Sequence, residues 1–271
     1  MIDTIDHLCY VLRTREFEID QIIGNIEHYY KEKIQPKKKY GNPQMHNGKG
    51  RYRHLCASQN RLKEIQQNLN AFLQANISLG DFAHGSVKGR DHIMNAIAHY
   101  GNTYFFSVDL RDFFTNISNG AVYRTFRCYN FSPTISRKLT QLTTFKYELP
   151  QGPPSSPFIA NMVFDPTGNK LFKKAQANQI IFTSYLDDLA FSSRVDFTVF
   201  LPEILKDLTD DGFVLNQKKI SYRKTKAEIT GIPVSSKGIT VPNAVRERAK
   251  KNARVRQYSI RIENISNMLF H

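Results

Sequence analysis

The run "IIFTSYLDDLAFSS" (180–193) places Asp187 and Asp188 side by side in an otherwise apolar, aromatic and β-branched stretch. Such a stretch belongs in the core of a sheet, where ionised carboxylates are costly to desolvate unless something pairs with them. Whatever this chain folds into must bring a compensating charge to that pair. The run reads as two short strands, "IIFTSYL" and "LAFSS", joined at Asp187-Asp188 as in a hairpin.

A further carboxylate has a similar setting. "TYFFSVDL" (103–110) reads as a strand ending in Asp109. If the two strands are neighbours, Asp109 converges on Asp187 and Asp188. Clustered carboxylates repel one another and ionise together only when a cation joins them. Magnesium suits that role, since it takes one or two carboxylates plus substrate phosphates. A pair of such ions can stabilise the attacking and leaving oxygens of an in-line phosphoryl displacement. An isolated Asp-Asp is common in turns and helix starts, so the reading rests on the conjunction of segments.

Around these strands, residues 1–35 read as helical, and "RLKEIQQNLNAFLQANI" has helical spacing at Leu62, Ile65, Leu69, Phe72 and Leu73. The basic stretch 37–55 between them reads either as a solvated loop or as a hairpin gripping phosphates. "DHIMNAIAHY" reads as a helix closed by Gly101, with further helices around 119–128 and 134–144. "LPQGPPSSPFIANMVFDP" starts as a rigid turn and continues as a helix. "FTVFLPEILKDLTDDG" is a helix stopped at Gly212, and "KKISY", "AEITGIPV" and "GITVP" are short strands. Strand and helix alternate without repeats, which predicts an α/β or α+β fold.

Charge narrows the partners. Lysine and arginine number 38 against 24 aspartates and glutamates, a formal charge of +14, which favours nucleic acid. No apolar run approaches the ~20 residues of a membrane span. Cys9, Cys56 and Cys128 lack zinc-ligand spacing and read as free thiols in a reducing cytosol.

Four motifs then fall in one order. "FFSVDLRDFF" (105–114), "LPQGPPSSP" (149–157), "YLDD" (185–188) and "DGFVLNQKKISY" (211–222) resemble the palm segments of reverse transcriptases. "NAIAH" (95–99) and "ITG" (229–231) resemble the signatures that flank the palm in bacterial retron reverse transcriptases. The resemblance implies an α+β right-hand polymerase fold with fingers, an antiparallel-sheet palm and a short helical thumb. It places N-terminal helices and fingers at 1–100, with further fingers at about 119–180, the palm at 101–235 and the thumb at 236–271.

By the same resemblance Asp109, Asp187 and Asp188 are catalytic, and with Leu110 they hold two Mg2+ ions. Backbone N–H groups of Leu110 to Phe113 would cradle the triphosphate. Phe114 falls at the steric-gate position, while Phe113, Gln151, Gly152, Arg53, Arg51 and Lys219 complete the nucleotide set. RNA contact or structural support is expected at Asn95 and His99, which share a helix face, and RNA contacts are expected along a basic tail helix at Arg246, Lys250, Lys251 and Arg254. The implied protein is a bacterial cytoplasmic RNA-directed DNA polymerase using dNTPs. It would copy its cognate noncoding RNA from a 2′-hydroxyl into branched msDNA, in antiphage defence with a separate effector protein. The alternatives are a group II intron-like or other defence reverse transcriptase, and a catalytically silent RNA-binding scaffold.

Overall fold

A computed structural model describes residues 1–46, 49–50 and 52–269. From the N-terminus run α1 (Ile5–Leu12), α2 (Glu16–Gly24), β1 (Tyr30–Pro36), and the two-residue strands β2 (Lys38–Lys39), β3 (Asn42–Pro43), β4 (Met45–His46) and β5 (Lys49–Gly50). Then follow β6 (Tyr52–Ser58), α3 (Asn60–Asn76), α4 (His92–Ile97), β7 (Tyr104–Asp109), α5 (Asn119–Cys128), α6 (Pro133–Thr143) and α7 (Ser156–Ala177). The hairpin strands β8 (Ile181–Tyr185) and β9 (Asp188–Ser193) precede α8 (Leu201–Asp210). The chain closes with β10 (Ser221–Lys224), β11 (Lys226–Ile229), β12 (Ile232–Ser235), β13 (Gly238–Ile239), α9 (Asn243–Ala249) and α10 (Ala253–Leu269).

These elements form two units. One comprises residues 1–79 and 112–166, the other 80–111 and 167–271. In the first, β1 and β6 pair antiparallel from Tyr30↔Ser58 to Pro36↔Tyr52, so residues 30–35 are strand where a helix was expected. Pairing along the whole of β6 overrides the helical preference of "YKEKIQ". The basic stretch is thus a hairpin. Leu62, Ile65, Leu69 and Leu73 of α3 are fully buried, whereas Phe72 is only half-buried. Gln66 joins three elements, donating to the Tyr30 hydroxyl at 3.1 Å and the Leu142 carbonyl at 2.7 Å.

The second unit is built on an antiparallel sheet of order β10-β7-β9-β8. Tyr222, Phe106, Phe191 and Phe182 are successive cross-strand partners, so one aromatic row crosses all four strands. Phe182 and Phe191 stack at 4.5 Å, and Phe106 meets Phe191 at 5.8 Å. Such pairs are the unit of sheet stability. Helix α8 ends as expected: Gly212 is left-handed (φ 87°) and the Phe213 N–H returns to the Leu208 carbonyl at 2.9 Å. A separate three-stranded sheet, β11-β12-β13, follows.

Candidate active site

The carboxylates share the end of the second unit's sheet. Asp109 ends β7 directly opposite Asp188, and Asp188 lies opposite Tyr185 on β8. Leu186 and Asp187 therefore form the turn, and Asp188 opens β9 rather than sitting in the turn itself. Leu186 is left-handed (φ 57°), a conformation that costs a branched residue about 1–2 kcal/mol. The turn is held from two sides. Leu110 N–H donates to the Asp187 carbonyl at 2.8 Å. On the other side, residues 82–85 pair with the β8 edge: Ser184 N–H donates to Phe82 and His84 N–H to Ser184, both at 2.8 Å. A Cβ on Gly85 would come within 2.8 Å of the Leu186 nitrogen, so only glycine fits beneath the turn.

Asp109 is buried with both oxygens engaged. Oδ1 accepts from Asn216 Nδ2 at 2.8 Å, and Oδ2 accepts from the Lys219 ammonium. The Asn216 N–H also donates to the Asp109 carbonyl at 2.9 Å. Asn216 had no role in the sequence reading; the N-x-x-K spacing to Lys219 puts both on one short turn and was the signal. Asp188 is exposed as a residue. Desolvation first, then repulsion from Asp187 and Asp109, pushes it up to about 7, against a lowering by Lys219.

Among the described residues no three His, Cys, Asp or Glu side chains form a ready metal cage. The donors nonetheless fit magnesium, whose sites use one or two carboxylates completed by substrate phosphates. The Asp188 carboxyl, crowded by its neighbours and raised in proton affinity, calls for a cation, and the Lys219 ammonium already sits on Asp109.

Of the described nucleotide residues, Arg53, Phe113, Phe114, Gln151 and Gly152 belong to the first unit, and Leu110, Arg111 and Lys219 to the second. Arg53 is exposed on β6 opposite Gln35, and strand alternation puts it on one face with Lys31 and Lys33. Arg51 lies outside the described residues. The Gln151 carbonyl accepts from Cys56 N–H at 2.8 Å, which ties the Pro/Gly turn to β6. Gly152 has φ 136°, and a Cβ there would lie 3.2 Å from the Cys56 carbonyl oxygen. Phe114 is half-buried, its ring edge-on to Phe113 at 5.7 Å. The Phe113 ring is core, packed on Phe164. One expectation fails: the amides of Leu110 and Arg111 are not available to a triphosphate, because they donate to the Asp187 and Val214 carbonyls.

Comparison with known proteins decides the family. Residues 35–234 match the model of "Reverse transcriptase (RNA-dependent DNA polymerase)". The chain belongs to the reverse transcriptase family. It carries that family's RNA-directed DNA polymerase domain, and several curated relatives are retron reverse transcriptases. It is 26% identical over 268 residues to the retron Se72 reverse transcriptase of Salmonella heidelberg (strain 579083-10), covering 96% of this chain and 68% of the relative. To the retron Ec86 reverse transcriptase of Escherichia coli it is 29% identical, covering 70% of this chain and 61% of the relative. A structure of Candida albicans telomerase in complex with a TWJ fragment of telomeric RNA shares the fold, with TM-score 0.55 at 9% identity over 84% of this chain and 51% of that one. The mixed helical and antiparallel-sheet architecture is that of the reverse transcriptase fold.

In this reverse transcriptase the placement of Asn95 and His99 and the single-helix reading of the tail need correction. Asn95 and His99 are buried, so neither side chain meets RNA. His99 bridges Ser192 and Thr183, with 2.7 Å from each ring nitrogen, on the sheet face that carries the carboxylates. Desolvation, with the neighbouring His84, lowers its pKa to about 3. Asn95 Nδ2 reaches the Thr230 hydroxyl at 3.5 Å, and Thr230 donates to the His92 carbonyl at 2.9 Å. The two retron-like signatures therefore meet inside the second unit and hold each other.

The tail is also not one helix. Asn252 Oδ1 accepts from Val255 N–H at 3.2 Å and starts α10, while Arg256 turns back onto the Ala249 and Lys250 carbonyls, each at 3.3 Å. Arg246 lies on α9 and Arg254 on α10, with Lys250 and Lys251 in the break, all exposed. Lys250 pairs with Glu247 at 2.8 Å. Ile262 is the buried isoleucine of α10. The helix is fixed to α4 by Arg261 on Asp91 at 2.6 Å and by Tyr258 on His92 at 2.9 Å.

Proposed function

We propose that this chain is the polymerase of a retron. It copies a cognate structured noncoding RNA, starting from an RNA 2′-hydroxyl, into branched single-stranded msDNA. The product serves antiphage defence together with a separate effector protein. The observation that carries the chemistry is the register of Asp109 against Asp188, with Asp187 next in the turn and the Asp188 carboxyl pushed up by desolvation and then by its neighbours.

In that reading Asp109, Asp187 and Asp188, with the Leu110 carbonyl, hold two magnesium ions, which supply the charge that phosphoryl transfer requires. Asn216 keeps Asp109 aimed, and Lys219 exchanges its carboxylate contact for the phosphates of an incoming dNTP. Phe114 excludes a 2′-hydroxyl from the bound sugar. Arg53 and the Gln151-Gly152 turn receive the nucleotide, and the fingers correspond to the first unit. Exposed Arg246, Lys251 and Arg254 attract the phosphate backbone of the RNA and its DNA copy. Relatedness to retron enzymes over most of the chain supports the choice of template.

The test is purification of the chain with its neighbouring noncoding RNA, followed by dNTP addition and analysis of the product for a 2′–5′ branch. Asp187→Asn, which removes charge but keeps shape, should abolish synthesis and leave RNA bound. Wild-type extension by that variant would remove the catalytic assignment. Free initiation on unrelated RNAs would remove the retron reading and keep the polymerase.

A further inference from the structure

Phe145 and Glu148 close a two-residue hairpin turn in the first unit. Phe145 N–H donates to the Glu148 carbonyl at 2.9 Å, and Glu148 N–H returns to Phe145 at 3.1 Å. Both turn residues are left-handed, Lys146 with φ 51° and Tyr147 with φ 66°. Asn-Gly, Asp-Gly or Gly-Gly ordinarily fills a turn of this kind, because other side chains are strained there. Here the neighbours enforce the strain. Asn119 N–H donates to the Tyr147 carbonyl at 2.9 Å, Leu149 N–H to Ile117 at 2.8 Å, and Phe145 stacks on Tyr30 at 4.6 Å.

The strained tyrosine packs against little, since it is 82% exposed. A glycine would fill the position at lower free energy, so the ring has its use outside the fold. Lys146 beside it is also exposed, held only by a surface ion pair to Glu32 and by its approach to the Phe145 ring at 5.3 Å. Neither contact ties the ammonium down firmly.

We propose that Tyr147 is a stacking contact for an unpaired RNA base, with Lys146 meeting the adjoining phosphate. The inference rests on the polymerase reading for its ligand. A ring presented next to an exposed cation is the combination that single-stranded nucleic acid uses, face to base and charge to backbone. The chain's +14 charge favours such a polyanion. A protein partner would instead need a contiguous apolar patch, and Tyr147 is flanked by Lys146 and Glu148.

The chain contains no tryptophan, so Tyr147→Trp installs a single fluorescent reporter at the turn. Titration with a short single-stranded RNA oligonucleotide of mixed sequence should quench its emission, and the same strand made of abasic sites should not. Tyr147→Phe should bind RNA like the wild type, while Tyr147→Ala should lose roughly tenfold in affinity, within the range for one stacked base. Tyr147→Gly separates function from folding. It should raise the melting temperature by about 2–4 °C through relief of strain, and still bind RNA as weakly as the alanine variant. Unquenched emission at full RNA affinity overturns the proposal, as does a lower melting temperature for the glycine variant. An emission change that follows protein concentration without RNA makes the turn a self-contact and equally overturns it. If the wild type binds no RNA, the polymerase reading fails along with it.

Discussion

His99 makes folding stability depend on pH in a calculable way. The unfolded side chain takes up a proton near pH 6.5, whereas the buried native ring resists protonation down to about pH 3. Its contribution is therefore complete above about pH 6.5 and is lost progressively as pH falls toward 3. Between pH 7.5 and 5.0 the linkage amounts to about 2 kcal/mol, at 1.36 kcal/mol per pH unit below 6.5. His99→Gln keeps a donor and an acceptor for Ser192 and Thr183 but cannot titrate. Urea unfolding of both proteins at the two pH values isolates the effect, since His84 and the carboxylates titrate in each and cancel. The wild type should lose about 2 kcal/mol more than the glutamine variant on acidification. His99→Ala should be destabilised at every pH, because the Thr183 hydroxyl loses this partner in a buried site, a loss of about 1–3 kcal/mol before any cavity is counted. It should reduce self-primed and DNA-primed synthesis equally. Parallel pH curves for wild type and His99→Gln would refute the reasoning.

Three further outcomes follow from the geometry. Asp188, raised to about 7, must shed its proton before a divalent cation binds, so calorimetric Mg2+ affinity should rise up to tenfold per pH unit below 7 and level off above it. Without the cation the same group makes stability fall as pH rises from about 4 to about 7, and Asp188→Asn should remove both effects. Phe114→Val should admit ribonucleotides, read as the rNTP-to-dNTP incorporation ratio on an RNA template; an unchanged ratio would make Phe114 a packing residue alone. Charge reversal at Arg246, Lys251 and Arg254 should flatten the log–log salt dependence of RNA binding by roughly 0.7–0.9 per lost phosphate contact. A slope indifferent to those changes would move the RNA elsewhere.

Much of the second unit's sheet could be read from sequence because its strands announce themselves. Tyr104–Asp109 and the hairpin around Asp187 are aromatic and β-branched runs bounded by turn signals, and their carboxylates fall where the runs stop. Residues 30–36 gave no such notice. Lysine and glutamate suit a helix, and only a partner strand some twenty residues later makes them β. Asn95 and His99 stayed open between RNA contact and structural support for a different reason: spacing reports a shared helix face, not whether that face looks inward. The tail break turns on Asn252, whose side chain starts a helix, and a basic run masks such a signal. Tyr147 was invisible, because strain is a property of dihedrals and not of composition.

The aromatic row Tyr222–Phe106–Phe191–Phe182 also sets a tolerance. It lies three residues along β7 from Asp109, and so acts as a gauge for how the strands slide past one another. A slip of two residues would preserve the in-out alternation, the one error that polarity alone cannot detect. It would still carry Asp109 about 7 Å from Asp188 and break the four-strand aromatic row. Trimming Phe191 to leucine should therefore blur catalytic alignment from a distance, with a turnover defect larger than the loss of stability accounts for.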